Sequence, residues 1–295
     1  MSAAATDDRA PRERVLELPH LRLAARVWGR AGERPTLALH GWLDNAASFD
    51  GLAPRVPGLE LVALDLPGHG RSDHRPGGVY HFIDYVADAI AACDALGWER
   101  FSIIGHSLGA GVGALVAGAV PDRVERLVLL EGLGPMTNLE EDAPAVLRHA
   151  VEQARARARK TAGRERPRPL ASVRDAVRAR LMAGAMQVAS ATTLVERALR
   201  EDDDGLRWRS DPRLRLASRV RLTEGQTLAF LRAIRCPTLL VRAHDGLRFD
   251  EQLARQRVES LASLELVRLP GGHHVHLDDP EPVAAAVRSF LTNNP

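Results

Sequence analysis

The chain has 295 residues, with 40 Lys+Arg against 38 Asp+Glu for a formal net charge of +2, and 45% of its residues are hydrophobic. That apolar share supports a substantial buried core and excludes a disordered or fibrous chain, while the near-neutral charge excludes a dedicated nucleic-acid binder, which needs a basic excess to neutralise several phosphates. No run of about 18 apolar residues offers a membrane span and MSAAATDDRAPRER has no apolar leader, so a cytoplasmic protein is the expectation.

In chain order, residues 1–13 are expected to be a flexible N-terminus, and the apolar runs 15–18 and 21–28 an antiparallel opening pair of strands. Runs 36–40, 61–65, 101–105 and 127–131 read as buried, mostly parallel strands, separated by helical patterns over 82–96 and 108–119; the first repeats apolar residues at Ile83, Val86, Ala87 and Ile90. From 132 to 235 strands are not expected and the chain reads as helices over 144–159, 172–182, 192–199 and 224–234. The last opens with a capping box, Thr223 with Gln226. Strands resume at 238–242 and 264–268, and a helix over 281–291 closes the chain. Residues 14–131 and 236–295 thus form one α/β core interrupted by a helical cap at 132–235. Cys93 and Cys236 are too few and too far apart for a disulfide framework or thiolate metal site and are expected to be buried as small hydrophobes.

Gly105-His106-Ser107-Leu108-Gly109 matches G-x-S-x-G, which holds a serine on a tight turn between a strand and a helix. The pattern alone arises by chance in about one chain in ten of this length; the strand before it and the helix after it supply the context the motif requires. A serine hydroxyl is a poor nucleophile at neutral pH and needs a histidine base. His273, in Pro270-Gly271-Gly272-His273 after the last strand, is the candidate, with His274 and His276 as neighbours. Acyl transfer also builds charge on the carbonyl oxygen, worth about 3 kcal/mol per convergent donor; the N–H groups of Leu108 and Trp42 are the expected oxyanion hole. His40, Gly41 and His106 are the expected substrate-binding positions, His40 also being suited to anchor its loop. Two carboxylates compete to orient the histidine: Asp245, after strand 238–242, and Glu131, at the end of strand 127–131. Both preserve the chain order Ser, acid, His. Asp65, at the end of another strand, is better suited to orienting a loop.

With these residues in place the chain resembles the α/β-hydrolase superfamily along nearly its whole length after about residue 14, and within it the serine hydrolase-like proteins. The likeness is carried by HGWLDNAASFD at 40–50, LDLPGHGRSDH at 64–74, GHSLGAGVG at 105–113 and GGHHVHLDDPEPV at 271–283. It implies the α/β-hydrolase fold: an eight-stranded, mostly parallel sheet flanked by helices, a helical cap inserted after the sixth strand, a Ser-His-acid triad, and no cofactor or metal. Many members carry Gly-x-x-Asp after the penultimate strand; Arg242-Ala243-His244-Asp245-Gly246 lacks that glycine, whereas Glu131-Gly132-Leu133-Gly134-Pro135 resembles branches whose acid ends the earlier strand. Both acids stay open.

The expected activity is cleavage of a small-molecule carboxylic ester through an acyl-enzyme, with no nucleic-acid or membrane-spanning role. The alternatives are a carbon–carbon bond hydrolase of ring-cleavage products and a non-catalytic binding protein on the same fold. Charge divides unevenly. Between Met136 and Arg235, 20 Arg and Lys160 oppose 13 Asp+Glu for a net +8, leaving −6 elsewhere, and a basic cap would attract anionic substrates.

Overall fold

The eight apolar runs of the core pair into one sheet. The computed structural model describes residues 10–77, 79–162 and 169–292. Its strands are β1 (Arg12–Glu17), β2 (Arg22–Trp28), β3 (Arg34–Leu39), β4 (Leu59–Leu64), β5 (Phe101–His106), β6 (Val124–Leu130), β9 (Thr238–Asp245) and β10 (Leu264–Gly272), in the order β1-β2-β4-β3-β5-β6-β9-β10. β1 with β2 and β2 with β4 are antiparallel, and the remaining pairs are parallel. Of the first 13 residues, 1–9 lie outside the described ones, and Arg12 and Glu13 already belong to β1.

Burial explains which strands sit where. All six residues of β5 are buried, as are the last four of β3 and of β6, the mark of parallel strands covered on both faces. Alternate residues feed opposite layers. Ile103, Leu127 and Leu129 pack with α1 (Asp84–Ala95), α2 (Leu108–Ala119) and Leu231 of α6 (Glu224–Ala233). Ile104, Val128, Leu130 and Leu239 pack with α9 (Pro280–Thr292) through Val283, Val287 and Phe290. β1 closes one edge with Arg12, Glu13, Arg14 and Glu17, charges that discourage further strand pairing. Cys93 and Cys236 are buried as free thiols, and burial pushes the Cys236 thiol up to about 11.

Between β6 and β9 the insert departs from the expected run of helices. α3 (Ala143–Ala162), α4 (Val173–Ala183) and α5 (Val188–Ala198) form, but β7 (Leu199–Asp202) and β8 (Gly205–Trp208) then pair as an antiparallel hairpin. Asp203 and Asp204 close it as a two-residue loop. The run of acidic residues masks the alternation on which strand recognition depends. α4, α5 and the hairpin share a small core of Ala176, Val177, Ala191, Val195 and Leu199, whereas α6 packs into the main core. A further helix without a sequence signal, α7 (Glu251–Glu259), buries only Arg257, so it carries no apolar stripe to reveal it; Asp250 caps it by accepting from Leu253 N–H at 2.9 Å.

Candidate active site

The parallel strands end at one edge of the sheet, where an open α/β architecture gathers functional loops. β5 passes into α2 through Ser107, whose φ of 51° and ψ of −109° force a sharp turn. Both motif glycines are explained by contact: a Cβ at Gly105 would run into the Gly109 carbonyl, and one at Gly109 into the Leu39 carbonyl. The turn is fastened on both sides, with Ser107 N–H donating to Leu130 O at 3.0 Å and Gly109 N–H to His40 O at 3.0 Å. These bonds hold a conformation costing about 1–3 kcal/mol and keep Oγ clear of the sheet.

The end of β10 delivers His273. Its Nε2 lies 3.0 Å from Ser107 Oγ, and its Nδ1 lies 3.4 Å from Glu131 Oε2, at the long end of hydrogen-bond range. Glu131 follows β6 at a φ of 51°, fully buried, accepting from Ala243 N–H at 2.6 Å, Leu247 N–H at 2.7 Å and Arg242 Nε at 3.2 Å. Burial pushes its carboxyl up, but the bonds from His273, Ala243 and Leu247 and the charge of Arg242 outweigh it and hold the group below the ordinary glutamate range. Glycine is also required at 246, where a Cβ would meet the Glu131 carboxylate. Asp245 is placed differently. It is exposed at the end of β9, its backbone paired with Gly272, and among the described residues its carboxylate has no bonded partner. The structure therefore brings Glu131, not Asp245, to His273.

The loop after β3 packs against the elbow. Asp44 N–H donates to Gly41 O at 3.1 Å, closing a turn with Leu43 at a φ of 62°. Among the described residues the backbone N–H groups of Trp42 and Leu108 donate to no other protein group, which leaves both for a ligand oxygen. The Trp42 ring is half exposed, and its Nε1 donates to Leu214 O in the insert at 3.2 Å. Gly41 is confined by its neighbours: a Cβ there would stand 2.9 Å from His106 Nδ1 and from Asp44 Oδ2.

His40 and His106 do not take the substrate-facing places expected of them. Both are fully buried. His40 Nδ1–H donates to Gly41 O at 2.7 Å while Nε2 accepts from Leu66 N–H at 3.0 Å, so both nitrogens are used by main chain, and burial depresses the ring's basicity. His106 Nε2–H donates to the His273 carbonyl at 2.9 Å. Strand alternation gives the reason: His106 precedes the serine by one residue and takes the opposite direction. Among the described residues Ser107 Oγ is bonded by His273 alone.

Comparison with known proteins bears on the fold that carries these residues. The α/β hydrolase fold family matches residues 35–280. The chain belongs to that family. It is 33% identical over 293 residues to a serine hydrolase-like protein of Danio rerio, covering 96% of this chain and 89% of the relative. Among solved structures it is similar to the hypothetical protein PA1622 from Pseudomonas aeruginosa PAO1, at 43% identity and a TM-score of 0.85 over 95% of this chain and 97% of that one. It is also similar to the thioesterase domain from the curacin biosynthetic pathway, at 26% identity and a TM-score of 0.77 over 96% and 100% of the two chains. No described helix of this α/β-hydrolase fold protein is long and apolar enough to cross a membrane.

Two further buried carboxylates in this hydrolase fold have no assigned role in the sequence reading beyond loop orientation, and each is met by an arginine of the insert. Asp65, after β4, accepts from Ala46 N–H at 2.7 Å and Arg71 N–H at 2.8 Å, tying two loops together as expected, and from Arg197 Nε of α5 at 3.0 Å. Arg197 also donates to Glu13 at 2.6 Å. Asp44 accepts from Arg180 Nη2 of α4 at 2.6 Å. Asp44 lies inside the quoted motif at 40–50, but its partner is 136 residues away among many arginines, so no spacing rule points to the pair.

Proposed function

We propose that this protein hydrolyses a carboxylic ester, or a related acyl bond, of a small molecule through Ser107, His273 and Glu131. Ser107 Oγ attacks the acyl carbon as His273 Nε2 takes the hydroxyl proton. Glu131 holds the Nδ1–H tautomer and stabilises the imidazolium that forms. Negative charge on the carbonyl oxygen is received by the N–H groups of Leu108 and Trp42. His273 then returns its proton to the departing alkoxide, the alcohol leaves, and an acyl ester of Ser107 remains. Water, deprotonated by the same nitrogen, attacks that ester; collapse releases the carboxylic acid and regenerates Ser107 and neutral His273.

The observation that carries this reading is the pair of distances around one imidazole, 3.0 Å from Nε2 to Ser107 and 3.4 Å from Nδ1 to Glu131. The insert, 132–235, is proposed to cap the site, which the bond from Trp42 to Leu214 supports. Steady-state turnover of a short-chain aryl ester tests the nucleophile: Ser107→Ala is expected to lower kcat by about a million-fold, because triad members act as a unit. An unchanged rate in the folded variant refutes the assignment. A wild-type protein that cleaves carbon–carbon ring-fission products and not esters would instead support the rival hydrolase chemistry on the same serine.

A further inference from the structure

Asp44 closes the turn that presents Trp42 N–H, two residues from the proposed oxyanion donor, and its side chain is only 1% exposed. A carboxylate buried there is a liability to acyl chemistry, since its charge opposes the oxyanion that the turn is built to receive. Its neighbours are three histidines. Asp44 Oδ2 faces His274 Nε2 at 3.4 Å and His106 Nδ1 at 3.8 Å, and the His276 ring lies tilted against His106 with ring centroids 4.1 Å apart.

Two of these rings, His106 and His276, are not arranged to supply the compensating charge. His106 uses its Nε2–H on the His273 carbonyl, which leaves Nδ1, toward Asp44, as a bare lone pair without a hydrogen-bond partner. His274 Nε2 sits 3.2 Å from Arg180 Nη2 and 3.4 Å from Asp44 Oδ2, so it shares the carboxylate with Arg180. His276 Nε2 is taken by Ser48 Oγ at 2.8 Å. Burial and the neighbouring rings pull His106 far below the ordinary histidine range and His276 down to about 3, so both are neutral. The permanent cation is Arg180, which reaches down from α4 of the insert to donate to Asp44 Oδ1 at 2.6 Å with its own side chain 13% exposed.

We propose that Arg180 is a positioning residue that neutralises Asp44 behind the oxyanion turn, so that the chemistry of Ser107 depends on the seating of insert helix α4 on the core. The proposal rests on the serine hydrolase reading and adds to it a residue from outside the triad and oxyanion donors. Without Arg180 the Asp44 carboxylate has no permanent cation beside the Trp42 donor, with His274 its remaining ionisable partner, and it faces the bare His106 nitrogen, whose opposite nitrogen holds the His273 loop. As a guide to scale, an unopposed unit charge set about 7 Å from any oxyanion at an effective dielectric of about 20 slows its formation by about 50-fold.

The test compares wild type, Arg180→Gln, Asp44→Asn/Arg180→Gln and Arg180→Lys by the rate at which a fluorophosphonate probe labels Ser107, alongside kcat and KM for an aryl ester. Arg180→Gln is expected to slow labelling by about 50-fold and to lower kcat more than it raises KM. The double variant, which has lost the ion pair altogether, is expected to recover to within about 5-fold of wild type, because the buried charge that did the damage is gone. A double variant no faster than Arg180→Gln, or Arg180→Gln within 2-fold of wild type, overturns the proposal. Should Arg180→Gln fail to fold, Arg180→Lys decides: the retained charge predicts labelling within about 5-fold of wild type, and a folded lysine variant slowed 50-fold overturns it. A folded wild type that does not label overturns the serine hydrolase reading and this proposal together, whereas labelled wild type with indifferent variants overturns only the latter.

Discussion

At the carboxyl ends of β3, β5 and β6 the backbone is held by fully buried strands, by main-chain bonds such as Ser107 N–H to Leu130 O, and by glycines at contact distance from neighbouring carbonyls. The insert is built otherwise. Of the described side chains of α3 only Ala150 is buried, the shared core of α4, α5 and the hairpin is small, and, whereas α6 packs into the main core through Leu231, α4 and α5 meet the core through Arg180 on Asp44, Arg197 on Asp65 and Asn45 Nδ2 on the Leu194 carbonyl at 2.8 Å. Apolar burial is insensitive to the exact partner, but a buried ion pair fails when one member is lost. The comparison teaches that the candidate active-site edge should tolerate changes in the insert's surface and depend sharply on a few of its buried arginines.

The largest effect that could break this comparison lies within the edge itself. Glu131→Gln is expected to lower kcat for an aryl ester by about four orders of magnitude, by removing the charge that fixes the His273 tautomer, while Asp245→Asn stays within about 3-fold of wild type. Comparable losses from both would mean that the edge is not organised around Glu131. The same substitution has a signature in acid. Because the Glu131 carboxyl is held below its unfolded value of about 4.3, it adds stability above that pH and loses it as pH falls through the folded value. Urea unfolding should therefore show wild type losing more stability on acidification than Glu131→Gln.

Next comes the fastening of the insert. Arg197→Ala leaves Asp65 buried and uncompensated and is expected to cost about 3–5 kcal/mol in denaturant unfolding, whereas Arg155→Ala on exposed α3 should stay within about 0.5 kcal/mol. Similar small losses from both would place the two arginines in one class and remove the distinction between buried and surface charge. The smallest effect concerns the net +8 of residues 136–235. Arg180, Arg197, Arg200, Arg207 and Arg213 are each paired with a carboxylate, so steering of anionic esters falls to exposed positions such as Arg148 and Arg155. Added salt should lower kcat/KM for a carboxylated ester by about two- to three-fold relative to a neutral one; equal responses would show that the basic insert does not steer.

The information carried by the amino-acid sequence follows the same division. The core strands announce themselves because each is an apolar run between turn residues, and the serine because its motif sits between a strand and a helix. The hairpin at 199–208 and α7 do not, since acidic residues in the one and a mostly polar sequence in the other, with Leu253, Ala254 and Val258 its only apolar residues, erase the periodicity on which such reading depends. Chain order could not choose between Glu131 and Asp245, as both precede His273 and follow Ser107. The choice is made by β9 and β10, whose pairing of Asp245 with Gly272 leaves that carboxylate exposed while Ala243, Leu247 and His273 converge on Glu131. His106 shows the opposite failure: a motif position next to Ser107 looks like a ligand contact, yet alternation and burial turn its ring inward, while His40, equally buried, anchors its loop through Gly41 and Leu66 instead of facing a substrate. Asp44 with Arg180 is invisible for want of any local pattern.

The central claim is that Ser107 forms a covalent acyl intermediate. Acid-quenching the wild-type protein during turnover of an aryl ester and mapping the added acyl mass by peptide mass spectrometry tests it most directly. The adduct is expected on Ser107 and absent from Ser107→Ala. A turning-over protein with no adduct, or with the acyl group on another residue, would contradict the account.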